Sequence, residues 1–432
     1  MRCTIRLSRI GPPYESDSSA PPRAAAAVLF AISLAACLLF ASVWPLPDVR
    51  NDAVGYLEIA QNVAAGKGFT QDGITPMVYR PPLFSVLLGG WFFLTGTTSV
   101  YSAAVFQSIL HALGVLAAFA LFLEISPSIR RAFGGALFLA VNPILVTRVV
   151  FVLQETTLVL FTTLAMLASV RLMRTHSAFR AGLAGAAWGT CTLGKIVCWY
   201  APFLLLAMGF LPARVRWNWH RKEGTVLILF FLAVIAPWTV RNYLLFGRFI
   251  PVNEQGVGML EWNVEQAEIP GVRPGADALA EIKEKNLSGA EERAALWKYV
   301  VSHPGYFFVD RVIRNAIRFA APPRDWWIAR GYFRPGEHRT SFWILAAIFH
   351  VPLYMFLLGR TWQWGSGKAS PAYGALLLLY WSYWAEHALV WGDPRFGLAV
   401  YPLLVATLCP PFRRGGGERN RRVIGEREQG PA

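Results

Sequence analysis

Residues 24–46, AAAAVLFAISLAACLLFASVWPL, decide the fold. The run carries no charged side chain and matches the roughly 20 residues that a helix needs to cross a bilayer. A secretory leader has a shorter apolar region followed by small cleavage residues. Here Trp44-Pro45 stand in that place, so the run reads as an uncleaved first span. Apolar runs recur at 101–123, 132–146, 156–172, 179–193, 196–211, 225–240, 341–358, 371–386 and 396–410. A further one at 82–94 is short, the length of a re-entrant or interfacial helix. Of the 432 residues, 55% are hydrophobic and only 16% charged, too few charges to cover a soluble surface of this size. Spanning segments must satisfy their own backbone hydrogen bonds, and the alternation of a membrane barrel is absent. The expectation is an all-α polytopic membrane protein of about ten spans.

A net charge of +15 would suit a nucleic-acid partner, but its placement argues against one. The basic segments 126–131, 171–180, 213–222, 359–368 and 413–422 fall on one side when the spans are counted in order, together with the Arg-bearing N-terminus. That is the positive-inside pattern, which puts both termini in the cytoplasm and meets anionic headgroups. Cys37, Cys191, Cys198 and Cys409 lie in or beside apolar runs and Cys3 in the tail, with no disulfide or metal spacing.

The same count divides the chain into a cytoplasmic tail (1–23), a transmembrane region (24–240) with a first external loop (47–80), an external loop (241–340), C-terminal spans (341–410) and a basic tail (411–432). In the first loop, 53–65 has the apolar spacing of a helix lying on the membrane surface, with Tyr56 on its apolar face. In the long loop, 277–301 and 306–319 carry helical periodicity between Pro and Gly clusters, so a folded external cap is expected.

The charges outside these regions converge on the external boundary: Asp52, Arg80, Glu155, Lys195, Arg241 and the stretch 387–395. A carboxylate there costs desolvation energy unless it is paired or used. Asp52 also suits a helix N-cap, and Glu155 a helix start. Arg80, fixed ahead of Pro81-Pro82, presents several donors in a rigid fork that suits a phosphate; a snorkelling arginine at the interface is the plainer alternative. Lys195 and Arg241 end apolar runs and could meet phosphate, with anchoring at the interface the stronger reading. No phosphate-cradling loop, HExxH, GxSxG, strand-borne GxGxxG or DxD pair is present, and no cytoplasmic loop is long enough for a nucleotide-sugar domain.

Four ordered stretches carry a resemblance: DAVGYLEIAQN (52–62) with GKGF (66–69), YRPPL (79–83), APWTVRNY (236–243) with FGRFIPV (246–252), and His387 followed by GDPRF (392–396). Together they resemble bacterial membrane glycosyltransferases of the dolichyl-phosphate-mannose-protein mannosyltransferase type. That type includes the aminoarabinose transferase that modifies lipid A, and belongs to the glycosyltransferase C superfamily. The resemblance implies sugar transfer from a polyprenyl-phosphate donor, with inversion, on the external (periplasmic) face of the cell's inner membrane. Asp52 would be the general base or acceptor-orienting carboxylate, with Glu155 a supporting acid. Arg80, then Arg395, would bind the donor phosphate, with Lys195 and Arg241 as further cations. Tyr56, Tyr79 and His387 would contact substrate. Some relatives place an acidic metal ligand directly ahead of the basic-Pro-Pro run; here that place is Tyr79, so the resemblance leaves the cofactor open, with a divalent metal that the sequence itself does not indicate.

The partners implied are the lipid-linked donor, membrane lipids, and an acceptor that is a protein, a lipid or a polysaccharide. A transporter or flippase for a lipid or polyanion would also want charges near a cavity. It would favour internal repeats and broken helices at mid-membrane, and no such duplication is evident. A family member acting as a subunit or receptor is the third reading.

Overall fold

The computed structural model describes residues 22–43, 49, 51–126, 128–211, 220–254, 256–320, 339–390 and 392–409. The two tails expected to be cytoplasmic, the end of the first expected span at 44–46, most of 213–222 and the last part of the long loop therefore lie outside the described residues. Among the described residues the elements are all helices, with one isolated bridge between Thr70 and Pro76.

The helices run α1 (Pro22–Val43), α2 (Asp52–Ala64), α3 (Pro82–Thr95), α4 (Val100–Ile125), α5 (Ile129–Ala140), α6 (Pro143–Val146), α7 (Glu155–Thr175), α8 (Ala178–Gly194), α9 (Ala201–Ala207) and α10 (Arg221–Phe246). The long loop contributes α11 (Gly256–Glu265), α12 (Gly275–Glu284), α13 (Gly289–Ser302) and α14 (Arg311–Ala320). The chain closes with α15 (Arg339–Gly365), α16 (Pro371–Leu389) and α17 (Tyr401–Ala406).

Four of these (α1, α4, α7 and α10) are long and apolar enough to cross a membrane, and a fifth span arises if the bent pair 129–140 and 143–150 is taken as one. Several other apolar runs are broken. Pro143, Pro202, Pro394 and Pro402 each stand at the start of a short helix, where the missing N–H costs nothing but an incoming helix cannot pass unbroken. The 45° bend at 140–143 is one such break. Conversely, α10 continues past the expected span end at 240, so Arg241 sits on a helix rather than in the loop.

α4 packs on α7 and α7 on α8 at the centre of the bundle, with α1 against α4 and α10 against the outside of α8. Small residues allow the close approach of α8 and α10: a Cβ on Gly185 would stand 2.1 Å from the Leu227 carbonyl oxygen. Lipid tails are as apolar as leucine, so membrane helices associate through this kind of close packing. The outer helices α11–α13 gather Val264, Leu279, Ile282, Leu296 and Val300 around a small core of their own. The described cysteines 37, 191, 198 and 409 are buried free thiols.

Candidate active site

Asp52 opens α2, yet its carboxylate caps no amide. Oδ1 accepts from Arg80 Nη1 at 2.9 Å, and Oδ2 lies 3.1 Å from Arg395 Nη1. The capping role that the sequence also allowed is thus not the one its side chain takes. The preceding Asn51 holds a positive φ (51°), a conformation costly for a side-chain-bearing residue and concentrated at functional sites.

Burial pushes the Asp52 carboxyl up, but Arg395 and Arg80 more than offset this and hold it below the usual carboxylate range. Arg395 is steadied by Asp393, whose carboxylate accepts from the Arg395 backbone N–H and lies 3.6 Å from Nε. The Arg80 guanidinium packs over Tyr56 at 5.1 Å and Tyr79 at 5.4 Å from the ring centroids.

The stretch APWTVRNY…FGRFIPV explains how Arg80 is placed. Gly247 ends α10 in the left-handed conformation (φ 66°), turning the chain back on itself. Trp238 donates to the Val252 carbonyl at 2.7 Å, and Asn242 to those of Ile250 and Val252. The returned segment then clamps the first loop: Asn253 donates to the Tyr79 carbonyl at 3.1 Å, and the Glu254 N–H to that of Val78 at 3.0 Å. Arg241 donates to the Met77 carbonyl at 2.8 Å. The backbone leading into Arg80 is therefore held from outside its own loop.

Glu155 starts α7 and is buried. Its approach is pinned by Gln107 of α4, which donates to the carbonyls of Val149 and Phe151. Glu155 Oε2 is buried without a hydrogen-bond partner. Lys195 lies between α8 and α9, its Nζ 3.1 Å from His387 Nε2 and 3.3 Å from the Phe396 ring centroid. Burial lowers the Lys195 ammonium to about 7.

A cavity of about 600 Å³ joins these groups, lined among others by Asp52, Arg80, Glu155, Lys195, His387 and Arg395. Tyr56 and Tyr79 also line it, so of the residues singled out from the sequence the structure leaves only Arg241 outside. Arg241 braces the loop through backbone carbonyls instead. Gln154, Glu386 and Asp393 line the cavity too and were not singled out. Glu386 carried a signal, an acid beside His387 at the end of an apolar run, and Asp393 stood within GDPRF. No three of the cavity's carboxylate and imidazole groups gather at metal-ligand spacing among the described residues.

The fold has solved counterparts. The archaeal oligosaccharyltransferase AglB from Archaeoglobus fulgidus, in complex with an inhibitory peptide and a dolichol-phosphate, superposes with a TM-score of 0.53 at 17% identity. The match covers 95% of this chain and 52% of that one. This chain therefore shares its fold with that protein along nearly its whole length. A second structure of the Archaeoglobus fulgidus oligosaccharyltransferase, tethered with an acceptor peptide, gives a TM-score of 0.54 at 17% identity, covering 89% of this chain and 49% of that one. ArnT from Cupriavidus metallidurans bound to undecaprenyl phosphate gives 0.40 at 16% identity, covering 90% and 77% of the two chains. The chain spans about half the length of the oligosaccharyltransferases it matches. No protein-family model matches the sequence, and no curated protein does.

Proposed function

We propose that this chain transfers a sugar from a polyprenyl-phosphate carrier to an acceptor on the non-cytoplasmic side of the membrane, with inversion at the anomeric carbon. The observation that carries the reading is the convergence of Arg80, Arg395, Lys195 and Asp52 on one cavity. The shared fold supports it, since the oligosaccharyltransferase was solved with a dolichol-phosphate. The four ordered stretches favour the mannosyltransferase and aminoarabinose-transferase branch.

The chemistry follows from the ion pairs. An incoming donor phosphate competes with Asp52 for the guanidinium groups of Arg80 and Arg395. Once they turn to the phosphate, the Asp52 carboxylate loses the charges that depress its proton affinity and becomes a better base. It takes the proton of the acceptor hydroxyl as that oxygen bonds to the anomeric carbon. The bond from that carbon to the phosphate oxygen breaks, and the electron pair leaves on the lipid phosphate, where the arginines and Lys195 stabilise the charge. Glu155 faces the same space as a supporting acid; Tyr56, Tyr79 and His387 shape the sugar's surroundings.

The test is reconstitution in vesicles with a polyprenyl-phosphate sugar. Transfer by the native chain that is lost in Asp52→Asn is expected; unchanged transfer in the variant overturns the catalytic assignment. The sugar and the acceptor would come from mass spectrometry of glycolipids, glycoproteins and polysaccharides in a deletion strain.

A further inference from the structure

At the far end of α7 three side chains with metal-ligand chemistry meet. His176 follows α7 in the left-handed conformation (φ 48°), His220 precedes α10, and Glu223 lies in the first turn of α10. Their ligand atoms all lie within 4.8 Å of one another. Glu223 Oε2 stands 3.2 Å from His176 Nδ1, and the two imidazole rings meet edge-on with centroids 5.0 Å apart. α7 has 21 residues, each rising about 1.5 Å, so this cluster is about 30 Å from Glu155 and separate from the cavity.

We propose that His176, His220 and Glu223 bind a divalent transition metal of the zinc class. Two imidazole nitrogens and a carboxylate oxygen form a donor set that suits zinc and leaves a fourth position for water. Ligands at about 2.0–2.1 Å from a tetrahedral ion stand about 3.3 Å apart. The His176–Glu223 spacing already matches that edge, and the exposed His220 ring closes the remainder by a side-chain rotation. Glu223 is only 4% exposed, and a buried carboxylate calls for a cationic partner. At the end of α7, Arg171 and Arg174 each pair with Glu124 at 2.9 Å. The ion would staple the turn between α7 and α8 to the foot of α10.

The experiment uses the untagged full-length protein in detergent, stripped with chelator and titrated with zinc by calorimetry. Cobalt(II) serves as a visible-absorption probe of tetrahedral geometry. One equivalent of zinc, a tetrahedral cobalt spectrum and a rise in thermal midpoint on zinc addition are expected. His220→Ala, at an exposed position that should fold normally, and Glu223→Gln should each weaken zinc binding by at least about tenfold. His303→Ala, in the outer loop, should leave it unchanged. No zinc uptake by the native chain, or full affinity in His220→Ala, overturns the proposal.

Discussion

Lys195 Nζ and His387 Nε2 stand 3.1 Å apart, and the His387 ring is fixed by the bond from Nδ1 to the Tyr383 carbonyl at 2.8 Å. Nδ1 therefore carries the proton, and Nε2 is left to accept from Lys195. The lysine is thus aimed by a residue that does not itself need a charge.

Lys195, lowered by burial to about 7, changes charge within the physiological range. If its ammonium group helps to hold the donor phosphate, donor KM should rise as pH increases through about 7. Lys195→Met should flatten that limb of the profile. Folding stability moves oppositely: above about 7 the native lysine is neutral while the unfolded one still binds a proton. Stability should therefore increase with pH up to the ordinary lysine value, as followed by thermal melts.

Asp52→Asn removes the base but keeps the size of the side chain. Transfer should fall about 10²–10⁴-fold in kcat in assays on reconstituted vesicles, while donor KM falls, because the phosphate no longer competes with a carboxylate for Arg80 and Arg395.

Arg80→Ala should raise donor KM more than acceptor KM, because the lost contact is to the phosphate. Arg80→Lys should restore only part of the loss, since an ammonium cannot reproduce the forked grip of a guanidinium on phosphate. Equal loss toward both substrates would instead indicate misfolding.

Arg241→Ala leaves the Met77 carbonyl without its donor, a cost of about 1–3 kcal/mol if that group stays buried. The expected result is faster proteolytic cutting of the first loop and a modest rise in donor KM, because Arg241 acts on Arg80 through the backbone.

Gly185→Val would place a side chain against the Leu227 carbonyl and force α8 from α10. Overpacking of this kind costs about 1–3 kcal/mol or more and should lower the melting temperature in detergent. Gly134→Ala, with open space around it, should be tolerated.

The helical membrane class was legible in the charge-free runs, and so was the set of polar residues that meets at the cavity. Hydropathy was blind to where runs break. Residues 196–210 and 394–406 score as apolar, but each opens with a tight 3₁₀ turn before a short α-helix. The bracing by Arg241 was hidden for a different reason: its partners are backbone carbonyls of Phe69 and Met77, which have no residue-type signature. Glu386 was hidden by its position, at the end of an apolar run where a span boundary explained it. The fit of Asp52 between two arginines joins residues from opposite ends of the chain, and no local pattern reports such an encounter.

Gly392 has no side chain where the Asn315 carbonyl presses: a Cβ there would lie 2.0 Å from that oxygen. Asn315 belongs to α14, and the ring of Phe319 on the same helix faces His387 at 5.2 Å. The outer loop therefore rests directly on the turn that carries Arg395. A shift of α14 would therefore bear on that turn, and through Arg395 on the carboxylate of Asp52.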